Sequence, residues 1–310
     1  MDLFKGYIDD QPVRINIYAD EIQSKKCPYT NDDWFYIGII VENMAHELLP
    51  EIIDIRYCGN NNRNSVYFQK NDRLIHWVDV TDIDSKNICH RWLEFILDPI
   101  RSQKSFHAYI LGINNSKLNS IEFGNEQEFN RKYNRFFRSA VLYSLKCNFP
   151  NKNIIIENIY HEQGQQQFHE YFPWHCIHRI DQSENKVTCE CDSVTFLPKS
   201  HRDCERSNIV QLCDLYLGIS TTAIHGLEKS NTSKYKAGLI DMFLPLLKRM
   251  INNPSNVRSS YAHSNRIMIR FFPKENTDID DIRRYTNQFY TARKIHYLEE
   301  LSGQMSLSLY

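Results

Sequence analysis

Ser207 to Ile219 reads SNIVQLCDLYLGI, the stretch of this chain whose residue types and spacing point most directly to chemistry. Ile209, Val210, Leu212, Cys213, Leu215, Tyr216, Leu217 and Ile219 make a helix apolar almost all round, which predicts burial. Set into it are Ser207, Gln211, Asp214 and Gly218, spaced four, three and four residues apart and so aligned on one face. A buried carboxylate is costly unless it is paired, hydrogen-bonded or bound to a metal. Gly218 gives up about 1 kcal/mol of helix propensity relative to Ala, which a close approach by another backbone or a ligand would explain. The bland alternative is an Asp that bonds a neighbouring loop or an Arg.

Two further acidic segments accompany it. In VRINIYADEIQ, Val13, Ile15, Ile17 and Ala19 alternate with Arg14, Asn16, Tyr18 and Asp20. This predicts a strand whose last residue on the polar face is Asp20, with Glu21 directly after it. Carboxylates at strand ends point into the crevice where α/β sheets keep their sites, although a solvated turn would look the same. In NIIIENIYHEQ, Glu157 interrupts an aliphatic strand and Glu162 lies just beyond its end. Acids on two strands and a buried helix could together hold hard divalent cations such as Mg²⁺ or Mn²⁺, which prefer oxygen ligands. The expected metal ligands are Asp20, Glu157 and Asp214. Glu162 is a rival for the middle place, and Glu21 is an additional ligand or base. Two such ions about 4 Å apart can drive phosphodiester hydrolysis.

IYADEIQ, followed much later by S-x-x-x-Q-L-C-D-L-Y-L-G, resembles a large family of uncharacterised bacterial and phage proteins. That family's signature is a strand ending Y-x-D-E-S and a late helix reading Q-L-A-D-x-x-x-G. Tyr18, Asp20 and Glu21 match the first motif; Gln211, Leu212, Asp214 and Gly218 match the second. Ile22 stands where the family has Ser, and Cys213 where it has Ala. The resemblance implies a ribonuclease H-like fold and a metal-dependent nuclease acting on DNA or RNA. It also implies a place in phage defence or a mobile element, with a homo-oligomer or a partner protein of that system. A second reading, from another class, is a non-catalytic binding or assembly protein with a degenerate site.

The elements that must position these residues follow a simple order. WFYIGIIVEN is apolar on both faces and predicts a central strand. MAHELLPEIIDIRYCG predicts a helix interrupted at Pro50, and NSVYFQ a third strand. A helix over 84–102, capped by Asp84 or Ser85, precedes the strand SFHAYILGI. A long helix over 126–147 precedes NIIIENIY. GQQQFHEYF predicts a helix, KVTCECDSVTFLP a hairpin, NRIMIRFFPK a strand, and Asp280 to Leu301 a closing helix. Such an order suits an α/β fold, a mixed sheet of about five strands with helices on its faces. Residues 1–226 are expected as the core domain, and 227–310 as a helical extension packed on it.

Composition sets the remaining bounds. The 310 residues are 42% hydrophobic, enough for a sizeable core. A net charge of −1 excludes the bulk basic footprint of a strong nucleic-acid binder, so contact with a polyanion must use local patches. Lys199, Arg202 and Arg206, just before the Asp214 helix, form the candidate phosphate-binding patch. Arg131, Arg135 and Arg138 on the long helix read better as a solvated face. No apolar run long enough for a membrane span and no signal peptide are visible, which predicts a cytoplasmic protein. The nine cysteines are an odd, scattered set, read as reduced thiols. Cys189, Cys191, His201 and Cys204 could close a zinc site, but they lack paired C-x-x-C spacing. In HEQGQQQFH the second His falls eight residues after the first, which excludes a zinc-protease helix.

Overall fold

A computed structural model describes residues 11–28, 30–59, 62–123, 129–169, 172, 180, 186–226, 233–252 and 266–273. Its frame is a mixed sheet of seven strands flanked by helices: β1 (Val13–Lys26), β2 (Asp33–Asn43), β3 (His107–Asn114), β4 (Ile154–Glu162), β5 (Val187–Cys189), β6 (Thr195–Leu197) and β7 (Ile267–Phe272). The order is β5-β4-β1-β2-β3-β7, with β6 also on β4. β1, β2 and β3 form an antiparallel meander; β4 runs parallel to β1, and β7 parallel to β3.

Both faces of the sheet are covered, which is why β2 and β3 are apolar on both sides. On one face lie α1 (Leu49–Tyr57), α2 (Ile83–Leu97), α4 (Ser207–His225) and α5 (Ser233–Asn252), packed with Tyr18, Tyr36, Ile40 and Ile110. On the other, α3 (Phe129–Asn148) packs Tyr133, Phe137 and Val141 against Ile15, Ile17, Ile37 and Ile39. Alternation along β1 therefore sends Tyr18 to the α4 side and Ala19 to the α3 side.

Several expectations change. β1 does not end at Asp20: it continues to Lys26, held by β2 through pairs such as Asp20↔Gly38 and Lys26↔Asp33. Its parallel partner β4 pairs only as far as Ala19↔His161. Asp20 thus sits where one neighbouring strand stops and the other continues, which preserves the crevice. Pro50 opens α1 instead of interrupting it, since a first-turn proline loses no helical hydrogen bond. NSVYFQ is helical over Val66–Asn71, with none of its side chains buried and so no sheet face to hold it as a strand. Asp82 caps α2, its carboxylate accepting from Ser85 N at 2.7 Å, and Pro99–Ser102 forms a separate turn.

The expected hairpin opens into β5 and β6, each pairing in parallel with a different part of β4. Of GQQQFHEYF, only a short 3₁₀ turn over Gln165–Phe168 and isolated positions are described. Beyond residue 226, α5 joins the α4 side of the core, and β7 adds an edge strand, so this part supplies more than helix to the same layers. The expected closing helix lies outside the described residues. Among the described residues no helix is long and apolar enough to cross a membrane.

Helix α4 is buried along its whole length, from Ser207 to His225. It approaches the sheet closely at Gly38, where a Cβ would lie 3.1 Å from Cys213 Sγ. The opposite approach is at Gly218, where a Cβ would meet Trp77 Cγ at 2.2 Å. Gly218→Ala should therefore destabilise the protein by about 1–3 kcal/mol through overpacking, against the gain in helix propensity. Urea denaturation of the two proteins tests this, and an unchanged or raised midpoint would refute the packing argument.

Candidate active site

Three carboxylates converge where β1, β4 and α4 meet. Asp20 is only 3% exposed. Its Oδ1 accepts from Glu21 N at 2.9 Å, while its Oδ2 is buried without a well-aligned partner. Asp214, on α4, lies close enough to Asp20 for the two carboxyls to influence each other. Glu162, at the end of β4, completes the group electrostatically. Burial pushes the Asp20 carboxyl well above the usual range, and the charges of Asp214, Glu162 and Glu21 push it further. Burial also raises Asp214; His76 and the Trp77 N–H oppose that rise, and Glu162 adds to it.

The segment before α2 supplies the rest of the wall. Gln211 Oε1 accepts from Ile75 N at 3.0 Å, and Asp214 Oδ2 accepts from Trp77 N. His76 Nε2 stands 3.8 Å from Asp214 Oδ1. Trp77 fills the notch at Gly218 and donates from Nε1 to Thr222 Oγ1 at 2.8 Å. Ser207 donates to Pro198 O at 2.6 Å, and Gln211 Nε2 to Lys199 O at 2.8 Å. The aligned face Ser207–Gln211–Asp214–Gly218 is thus a docking line for two loops. The loop-binding alternative for Asp214 holds at one oxygen, and the acid cluster occupies its other side.

The remaining predicted residues fall in different places. Glu157 is removed from the cluster. Ile15 pairs with Ile156 and Asn16 with Asn158, so Glu157 is the extra residue of a bulge, and it bonds Arg14. Glu162, five residues further on, takes the middle place. The Glu21 side chain points to the α3 side, with Oε2 3.3 Å from His161 Nε2; its charge acts on Asp20 through space while its N–H donates to Asp20 Oδ1. His161 is fully buried and also meets Tyr133 Oη at 2.5 Å.

Of the basic candidates, Lys199 belongs to the site, with Nζ 3.2 Å from Glu162 Oε1. Burial works against its ammonium, but Glu162, Asp20 and Asp214 outweigh that and raise its pKa. Arg206 is turned away and serves the scaffold. It donates to Tyr18 Oη at 2.6 Å and lies over the Tyr160 ring. Arg202 is largely exposed, 3.5 Å from Asp72. The zinc alternative loses His201, whose Nε2 is 2.6 Å from Asp72 Oδ2. Sequence reasoning missed His76, Trp77 and Asp72, which lie in a segment with no periodic signal, and Arg56, whose place in a predicted helix gave no sign of its long-range partners. Gly218 was the one pointer to them.

For a hard divalent ion the donor chemistry fits: oxygen-only side chains, two of them carboxylates in mutual reach, one with an unused buried oxygen. The arrangement is not a closed cage. Among the described residues no group of three or more His, Cys, Asp or Glu is gathered tightly enough to hold a metal, and Glu162 is engaged by Lys199. No protein family, curated protein or solved structure matches this chain.

The raised acids make a pH prediction. A carboxyl whose folded pKa exceeds its unfolded value binds more protons when folded, so stability falls as pH rises from about 4 toward the folded pKa. Without metal, Asp20→Asn should match the wild type near pH 4 and become the more stable of the two as pH increases. Urea midpoints measured across pH test it; parallel curves would show that Asp20 is not held protonated.

Proposed function

We propose that this protein is a divalent-metal-dependent phosphodiester hydrolase of DNA or RNA, built on a ribonuclease H-like sheet. The observation that carries the reading is the unsatisfied buried oxygen of Asp20 set against Asp214. Two buried acids close enough to influence one another call for a shared proton or a cation, and a cation allows both to ionise. The fold class is supported by the meander β1–β2–β3 followed by β4 and β5 beyond β1, with the acids at one end of β1 and β4. The short-motif resemblance points the same way.

In this reading Asp20 and Asp214 hold Mg²⁺ or Mn²⁺, and Glu162 joins them. The ion, when bound, activates water and stabilises the leaving oxygen. Trp77 N–H fixes Oδ2 of Asp214 and leaves Oδ1 on the side of His76. Lys199 pairs with Glu162 and, with Glu162 serving a metal, would be available to neutralise a substrate phosphate.

The second reading, a binding or assembly protein with a degenerate site, is favoured by one feature. Asp214 and Glu162 both already have partners, Trp77 N–H and Lys199.

The readings separate in one experiment. Purified protein is incubated with labelled single- and double-stranded DNA and RNA in Mg²⁺, Mn²⁺ or EDTA, beside Asp20→Asn and Asp214→Asn. A nuclease cleaves only with metal and loses about 10³-fold or more in rate in either variant. Metal should also raise the melting temperature of the wild type and not of the variants. Cleavage that survives Asp214→Asn would remove the site assignment. Well-folded protein with neither metal response nor cleavage would favour the binding reading.

A further inference from the structure

An open cavity of about 330 Å³ is lined by Tyr57, Arg63, Asn64, Gln69, His201 and Arg202, with the nearly buried Asp72 at its floor. That volume is at the lower end of ordinary small-ligand sites. An acid at the floor would repel an anion, but Asp72 is already neutralised. Arg56 Nε holds Oδ1 at 2.8 Å, while His201 Nε2 at 2.6 Å and Tyr57 Oη at 3.2 Å hold Oδ2. Burial works against the Asp72 charge, yet His201 and Arg56 outweigh it and hold its pKa far below the usual range. Arg56 is itself buried and spent on Asp72, Asn208, Gln211 and His201.

What remains at the mouth is cationic and adaptable. Arg202 and Arg63 have side chains 62% and 40% exposed. Arg63 carries a surface pair with Glu205 at 2.5 Å, itself half exposed, the kind of pair worth little. Guanidinium groups suit phosphate, the amides of Asn64 and Gln69 can read donor and acceptor edges of a base, and the Tyr57 ring offers an aromatic wall. A bare anion would leave the amides unused, and an apolar ligand would strand the arginines. The cavity is also tied to the acids. Arg56 Nη1 and His201 Nδ1 meet Gln211 at 3.1 and 3.3 Å, and Gln211 stands one helical turn before Asp214 on α4.

We infer that this cavity binds one nucleotide of the substrate strand, its phosphate on Arg63 and Arg202, and that His201 and Gln211 connect it to the helix bearing the proposed metal-binding Asp214. This rests on the nucleic-acid reading above, but it is testable without metal or cleavage. Binding of fluorescent DNA and RNA oligonucleotides is followed by anisotropy in EDTA at several salt concentrations, with mononucleotides as competitors. Arg63→Gln and Arg202→Gln should each weaken binding about five- to tenfold and lower the salt slope by about one. Glu205→Gln, which releases Arg63, should tighten binding about two- to fivefold, a gain no folding defect can produce.

Unchanged affinity and slope in both arginine variants, or weaker binding by Glu205→Gln, overturns the assignment. So does a wild type that binds neither strand nor mononucleotide. Arginine-dependent binding without metal-dependent cleavage keeps the cavity and rejects the hydrolase. Metal-dependent cleavage indifferent to Arg63 and Arg202 rejects the cavity alone.

Discussion

Asp20 and Asp214 lie within reach of each other in a seam nearly closed to water, and two ionised carboxylates cannot share such a space without a cation or a proton. Much of the surrounding structure makes that seam possible. Gly38 lets α4 come down on the β1–β2 pair, and Gly218 lets Trp77 press on α4 from the other side. The helix is held between them, with Asp214 on the face that docks the Trp77 loop and close enough to Asp20 for the two carboxyls to interact. Because its flanks are apolar, α4 cannot turn to give the acid to solvent without exposing Leu212, Leu215 or Leu217. Hydrophobic packing thus enforces an electrostatically unfavourable contact, an arrangement typical of sites whose groups must bind or react.

A second polar layer stabilises the first. Arg56 links α1, the Asp72–Trp77 segment and α4 through Asp72, Asn208 and Gln211. Losing it would leave several buried acceptors unpaired, each costing about 1–3 kcal/mol. Glu42 plays the matching part at the start of α1. It accepts from Asn16, Tyr18 and the backbone N–H groups of Leu48 and Leu49, and stands 3.7 Å from Arg206. The arginine that directly precedes the Asp214 helix is therefore part of the scaffold, while Arg63 and Arg202 at the cavity are exposed.

The two faces of β1 separate the chemistry. Asp20 faces α4 and the acid cluster, whereas Glu21 joins His161 and Tyr133 on the α3 side. β4 repeats the division, with His161 on the α3 side and Glu162 beside Asp214. Neighbours in sequence thus serve different layers, and only alternation about the sheet sorts them.

Local pattern alone determined that α4 is a buried helix with Asp214 and Gly218 on one line, and that Asp20 belongs to a strand beside a crevice. It also determined that central strands are covered on both faces. Those features are written in periodicity and in the cost of burying charge, both properties of the chain itself. Tertiary structure decided the rest. Glu162 and not Glu157 stands near Asp20 because the β1–β4 register sets Glu157 level with the Ile15–Asn16 step, where it meets Arg14, and brings Glu162 to the level of Asp20. NSVYFQ is helical and KVTCECDSVTFLP is no hairpin because strand pairing depends on which edge is free, and here β4 offers its own to both β5 and β6. The loop that caps Asp214, and the role of Arg206, arise from contacts over more than a hundred residues of sequence. No short-range signal encodes such contacts, because their energy exists only once the layers have closed.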